Sequence, residues 1–242
     1  MDFYTKLSEY YDHIFPAAFT TLDFIKDLFR RHAVHSVLDL ACGSGNYSVE
    51  LAKWGLSVTA VDLDSQMVAR VQAKAQQKGL PVRAIRGNML NISKTIKESF
   101  DGIICLGNSL VHLTEHGQVA KALKEMNNLL KPGGVLILQI VNYDRILKYN
   151  VQNLPIIRND KMDLTFIREY LKDTQTPLIN FITTLKVGKD EFKDSIKLLP
   201  LRREELDGLL EESGFKNNIY YGSFAGCAWK EDTMATISVS IK

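Results

Sequence analysis

The sequence predicts an α/β fold, a mostly parallel sheet with helices on both faces. Three observations predict it. Strand-like and helix-like segments alternate between residues 36 and 141. The strand segments are nearly all apolar, as parallel strands covered on both faces are. The first of them stops abruptly in a glycine-containing turn, Ala41-Cys42-Gly43-Ser44-Gly45, and a helical pattern follows at once. A βαβαβ alternation of this kind winds right-handedly around one sheet.

Two amphipathic stretches, residues 3–15 and 18–32, come before the first strand and must pack beside the sheet or over its ligand edge. Ser36–Leu40 is the first strand. The helix of 46–55 places Val49, Ala52 and Leu56 on one side. Residues 57–61 form the second strand, which ends in an acid, Asp62. The next helix runs from Ser65, expected as its N-cap, to Gly79, expected just past its end. Met67, Val68, Val71 and Ala75 give it an apolar stripe at helical spacing. Val82–Arg86 is a short third strand, followed by Gly87-Asn88-Met89. Residues 100–106 form a buried fourth strand. The helix of 115–130 carries Val119, Leu123, Met126 and Leu130 on one face, and Pro132-Gly133-Gly134 breaks it before a fifth strand at 135–141.

The last hundred residues change character. Segments 164–171, 178–187 and 191–199 alternate polar and apolar residues and are joined by turn-rich stretches, the pattern of antiparallel strands. An amphipathic helix at 203–214 uses Leu206, Leu209 and Leu210. Residues 219–221 and 234–241 read as two closing strands.

The 242 residues carry 30 basic and 28 acidic side chains, a net charge of +2. That balance gives no electrostatic reason to expect a nucleic acid or an anionic membrane. Three scattered cysteines, Cys42, Cys105 and Cys227, fit a reducing compartment better than a disulfide framework. With no leader pattern and no long apolar run, a cytoplasmic protein is expected.

The first turn and the second strand together build a nucleoside site. Gly43 and Gly45 let backbone approach a ligand where a Cβ would clash. Asp62 can accept hydrogen bonds from both ribose hydroxyls, as the equivalent acid does in dinucleotide folds. Asp62 or Asp64 could instead serve as the helix N-terminal acid that complements the dipole. A dinucleotide fingerprint needs a third glycine for helix packing, and that position is Ser48.

With these pieces in order, the chain resembles the class I S-adenosylmethionine-dependent methyltransferases over nearly its whole length. The matching pieces are the turn from Asp39 to Gly45, Asp62, Gly87-Asn88-Met89, the fourth strand, Lys131-Pro132-Gly133-Gly134, Ser213-Gly214-Phe215 and the final hairpin. Two segments, 106–113 and 142–147, look like the glycine and sarcosine N-methyltransferase branch. The motif of the base-amino methyltransferases, Asp/Asn-Pro-Pro-Tyr, is absent. In glycine-specific enzymes an arginine stands just before the Asn-Tyr pair and grips the substrate carboxylate. Here that position is Val141, which speaks against glycine itself as the substrate.

The resemblance implies a Rossmann-like, seven-stranded sheet with a C-terminal antiparallel hairpin. It implies a single domain over 1–242, with a helical cap at 1–35 and an antiparallel lid at 150–200. The implied cofactor is S-adenosyl-L-methionine, contacted by Tyr4, Tyr11, Asp39, Ala41, Gly43, Asp62, Leu63, Asn88, Met89 and Leu106. Tyr4, Tyr10 and Tyr11 share the first helix, and one of them is expected on the methionine carboxylate. Asn108 and His112 flank the methyl group and are the candidate catalytic and substrate-binding pair. Tyr143 and Arg145 are further substrate candidates. The expected reaction is methyl transfer to a small-molecule acceptor, nitrogen favoured over oxygen. No metal is needed, and no metal-ligand cluster is visible. A homodimer is compatible with the sequence. A non-catalytic nucleoside-binding protein and an NAD(P) oxidoreductase stand as alternatives.

Overall fold

The computed structural model describes residues 3–242, and their side chains except those of residues 4 and 5. Helices α1 (Phe3–Ile14) and α2 (Phe19–Arg31) lead into β1 (Ser36–Leu40). The alternation then follows the expected order: α3 (Asn46–Lys53), β2 (Ser57–Asp62), α4 (Ser65–Gln77), β3 (Val82–Arg86), β4 (Phe100–Cys105), α5 (His116–Leu129) and β5 (Leu130–Val141). After a short α6 (Tyr143–Lys148) come β6 (Ile157–Asn159), β7 (Leu164–Lys172), β8 (Ile179–Val187) and β9 (Asp190–Leu198). The chain closes with α7 (Arg203–Glu212), β10 (Lys216–Tyr221) and β11 (Ala235–Ile241).

The main sheet has seven strands in the order β10-β11-β5-β4-β1-β2-β3. β11 runs antiparallel to both β5 and β10, and the other pairs are parallel. The chain leaves β1 toward β2 and β3, then returns to the other side of β1 as β4. Ligands collect outside the carboxyl ends of strands where the order reverses in this way. Here that point lies between β1 and β4. Both faces are covered. Leu123 and Met126 of α5 and Leu206 and Leu210 of α7 bury one face. Ile25, Leu28 and Phe29 of α2, with Leu51 of α3, bury the other.

Two boundaries differ from expectation, each for a local reason. The N-cap of α4 is Asp64, whose side chain accepts from the Gln66 amide at 2.7 Å, and Ser65 already lies inside the helix. Pro132-Gly133-Gly134 is no separate turn. β5 already pairs at Leu130 opposite Phe100, and these residues form an irregularity before pairing resumes at Val135 opposite Gly102. The helix had ended at Leu129, so the Pro-Gly-Gly element kinks a strand.

The second sheet, β6-β7-β8-β9, is antiparallel throughout. Its inner face meets the first helix: Phe3 and Ile14 pack with Leu164, Phe166 and Leu185. The N-terminal helix and the antiparallel layer therefore share one apolar cluster beside the carboxyl edge of the main sheet.

Candidate active site

The turn after β1 is held in an uncommon shape. Ala41, Gly43 and Gly45 all have left-handed backbone, with φ of 59°, 54° and 78°. The two glycines serve different neighbours. A Cβ on Gly43 would lie 2.7 Å from the Tyr11 hydroxyl oxygen, so Gly43 makes room for a side chain of α1 over the turn. A Cβ on Gly45 would lie 2.7 Å from a Val71 methyl, so Gly45 allows α3 and α4 to close up. The expectation that both glycines face a ligand is corrected for Gly45.

Asp62 sits across from this turn with both carboxylate oxygens engaged. One accepts the Gly43 amide at 2.8 Å and the other the Asp64 amide at 2.9 Å. Burial pushes its pKa upward, and the amide hydrogen bonds oppose that. Each oxygen retains a further lone pair toward the cavity. Asp39 is buried and accepts from the Ser48 hydroxyl at 2.5 Å. Desolvation pushes its pKa up to about 7.

Asn88 and Met89 follow β3 as expected, and the Asn88 side chain accepts the Leu90 amide at 2.9 Å. Leu63, 61% exposed, and buried Leu106 approach the same space from β2 and β4. Tyr11 closes it from above, and burial raises its pKa. The side chain of Tyr4 lies outside the described residues.

At the other end, Gly107 and Asn108 are both left-handed, with φ of 73° and 67°. The Asn108 amide is clamped. Its Nδ2 donates to the Tyr143 hydroxyl at 3.1 Å, and its Oδ1 accepts the Val141 amide at 2.9 Å. His112 is exposed to the cavity yet surrounded by protein, and that desolvation holds its pKa below the ordinary histidine value.

Tyr143 and Arg145, expected as substrate contacts, do not line the cavity. Tyr143 is fully buried and supports Asn108 from behind. Arg145 lies within α6, where its backbone amide is capped by the Asn142 side chain at 3.3 Å, away from the cavity walls.

All the other described candidates line one cavity of about 1010 Å³. It runs from the Gly43 turn past Asn108 to the antiparallel sheet, which contributes Arg168, Tyr170, Phe181 and Thr183. Sequence reasoning expected this sheet over the site but named none of these residues. Their signal was present: Leu164, Phe166, Arg168 and Tyr170 share one face of an alternating strand, and Arg168 places a charge where the period calls for an apolar residue. A second missed group binds α1 to the turn. The Lys74 ammonium donates to Asp12 at 2.6 Å, Asn46 at 2.7 Å and Ser44 at 3.0 Å.

Comparison with known proteins decides the family. The methyltransferase domain family matches residues 37–134. The glycine/sarcosine N-methyltransferase of Aphanothece halophytica is 31% identical over 223 residues, covering 90% of this chain and 80% of that protein. The chain belongs to the class I S-adenosylmethionine-dependent methyltransferases. The enzyme of the same description from Parasynechococcus marenigrum (strain WH8102) is 37% identical over 207 residues, covering 84% and 70%. Among solved structures, an S-adenosylmethionine-dependent methyltransferase from Clostridium acetobutylicum ATCC 824 shares the fold with a TM-score of 0.83, at 22% identity over 98% of each chain.

The protein is a methyltransferase, so the NAD(P) and non-catalytic readings fall away. The structure fits S-adenosylmethionine as cofactor. Ala41, Gly43, Asp62, Asn88 and Leu106 line one hollow, and each Asp62 oxygen keeps a lone pair beyond its bond to a backbone amide. Among the described residues, no helix is long and apolar enough to cross a membrane.

Proposed function

We propose that this methyltransferase N-methylates a small amine held between Asn108, His112 and the antiparallel sheet. The observation that carries the reading is the continuity of the cavity. One continuous cleft joins the Gly43–Asp62 end to the Asn108 end and to the second sheet. Its volume, about 1010 Å³, lies at the upper end of small-ligand sites, on the order of 300–1,000 Å³. That is room for a cofactor and a small acceptor side by side. The N-methyltransferase relatives favour nitrogen as the acceptor atom.

S-adenosylmethionine, when bound, supplies a methyl group already activated on a sulfonium. The protein contributes binding, alignment and proton handling. Asp62 would hold the ribose hydroxyls on its remaining lone pairs. Asn88, Met89, Leu63 and Leu106, with Asp39, Ala41 and Gly43, would hold the adenosine, and Tyr11 the methionine end. The second lone pair of Asn108 Oδ1 accepts a hydrogen from the acceptor amine and turns its lone pair toward the methyl. His112, neutral near neutral pH because burial lowers its pKa, is the base for the departing proton. Holding both reactants in line removes entropy from the barrier, up to several kcal/mol. Residues 1–35 act as a cap and 150–200 as a lid of one domain, and together they keep water out.

The direct test is isothermal titration with S-adenosylmethionine and S-adenosylhomocysteine, followed by mass-spectrometric screening of small amines for a one-methyl gain. Binding of the cofactor with methylation of hydroxyl compounds alone would overturn the nitrogen assignment. Failure of both cofactor forms to bind at millimolar concentration would overturn the whole site.

A further inference from the structure

Strand β5 lies inside the main sheet, with β4 on one side and β11 on the other. From Val135 to Val141 it is apolar at every position but one, Gln139. A polar side chain in such a strand is costly unless its hydrogen bonds are made. Gln139 makes them to the turn that carries Asn108. Its Oε1 accepts the Gly107 amide at 2.8 Å, and its main-chain carbonyl accepts the Asn108 amide at 3.2 Å. Two successive amides of the turn thus end on one residue of the neighbouring strand.

The turn needs such a hold. Asn108 is a left-handed residue directly after a left-handed glycine, with φ of 67° after 73°. Backbone of this kind persists in a residue with a side chain only where its surroundings fix it. Packing does not fix Gly107. The residue is exposed, and a Cβ placed on it would meet nothing within 4 Å. The Asn108 side chain is fixed separately, by the Val141 amide and the Tyr143 hydroxyl. Those bonds orient the carboxamide, but where it stands depends on the backbone that carries it. The bond from Gly107 to the Gln139 side chain ties that backbone to β5. Gln139 also lines the cleft, and its side-chain nitrogen has no hydrogen-bond partner among the described residues. The oxygen is committed to the turn, and the nitrogen is not.

We infer that Gln139 is a positioning residue for methyl transfer: its side-chain oxygen holds Gly107 and thereby sets where Asn108 meets the acceptor. This rests on the reading of Asn108 as the residue that orients the acceptor amine. Because Gln139 acts through the turn, losing its oxygen slows the chemical step and spares cofactor binding.

The test uses the full-length protein, with sarcosine, ethanolamine and glucosamine as probe amines. Two variants separate the ends of the side chain. Q139M keeps the length and loses both ends. Q139E keeps an oxygen for the Gly107 amide and loses the nitrogen. In the parent bound to S-adenosylhomocysteine, the Gly107 amide should exchange at least about 10-fold more slowly than an unstructured glycine amide, although the residue is exposed. Q139M, checked for folding by its thermal transition, should abolish that protection, and Q139E should restore it. With a probe amine that the parent methylates, Q139M should lower kcat by at least about 10-fold and change KM by less than about threefold. Q139E should return kcat to within about threefold of the parent, and both variants should keep S-adenosylhomocysteine affinity within about threefold.

An unprotected Gly107 amide in the parent overturns the assignment before any variant is made. So does a Q139M protein that loses protection and keeps kcat, since the tie would then be structural alone. A Q139E protein that regains protection but not kcat overturns it too, by moving the role to the nitrogen. If Gly107 is protected and S-adenosylmethionine binds, but none of the three amines is methylated, the amine reading of the site fails and takes the positioning role with it. If neither cofactor form binds, the methyl-transfer reading fails, and the exchange data alone decide whether Gln139 holds the turn.

Discussion

The Asn108 side chain and the Tyr143 hydroxyl meet at 3.1 Å, one residue at the cavity and the other wholly buried behind it. Tyr143 in turn stands edge-on to Tyr170 of the antiparallel sheet, with ring centroids 6.2 Å apart. The two sheets thus meet behind the residue proposed to orient the acceptor. Removing the hydroxyl in Y143F leaves Asn108 Nδ2 without that acceptor, at a cost of about 1 kcal/mol. The expected outcome is kcat lowered by about fivefold to 10-fold with S-adenosylhomocysteine affinity unchanged, since a misplaced positioning group costs alignment. N108A should lower kcat further, by about 100-fold or more. Steady-state kinetics beside calorimetry separate the two effects.

Gly43 is where a single methyl group should do most harm to cofactor binding. Its φ of 54° disfavours any L side chain, and the added Cβ would press on Tyr11 at 2.7 Å. G43A should cost about 1–3 kcal/mol in local strain and weaken S-adenosylhomocysteine binding by at least about 10-fold. The double variant G43A/Y11A relieves the contact with the ring but not the backbone strain. Its melting temperature should fall between those of G43A and Y11A if the contact dominates. Calorimetry and thermal melts on the three variants decide this.

These residues mark the limits of what a sequence discloses. The order of strands and helices was legible because parallel strands are apolar on both faces and helices repeat every three or four positions. Asp62 was legible because a carboxylate directly after a buried strand is unusual. Tyr143 was not: an Asn-Tyr pair after a strand reads the same whether the ring faces a ligand or a neighbouring side chain. The packing role of Gly45 was not legible, because Val71, whose methyl a Cβ there would meet, lies on another helix. The Asp12–Lys74 pair spans 62 positions, and no local period connects them. Arg168 broke its strand's alternation visibly, yet only the register of the sheet sets it opposite Thr183 on the cavity wall.

Asp39 makes stability depend on pH. Burial holds its pKa up at about 7, against an ordinary value of 3.8. Between those values the folded protein keeps a proton that the unfolded chain has released. The native state then binds more protons, so this residue's contribution to stability falls as pH rises from about 4 through about 7. D39N holds no such proton and can still accept from Ser48. The difference in melting temperature, D39N minus parent, should therefore grow between about pH 5 and pH 8. A flat difference across that range would mean that Asp39 is ionised throughout.

The Lys74 ammonium gathers Asp12 of α1, Ser44 of the turn and Asn46 of α3, and Asn46 also donates to the Phe15 carbonyl at 2.8 Å. These contacts pin the first helix over the hollow at Gly43. Burial lowers the Lys74 pKa and its bonds to Asp12 oppose that, so the charge is held by partners rather than by water. K74M removes three donors while keeping most of the stem. Asp12 is half-exposed and can turn to solvent, so the loss should be modest, about 1–2 kcal/mol. The larger effect is expected in dynamics: amides of Phe3–Ile14 should exchange faster by about 10-fold, as local opening becomes easier. Affinity for S-adenosylhomocysteine should fall with it, because binding must then close a helix that the parent already holds shut. Exchange and affinity that move together tie the first helix to the cofactor site. Faster exchange with unchanged affinity would show that the pinned helix plays no part in binding.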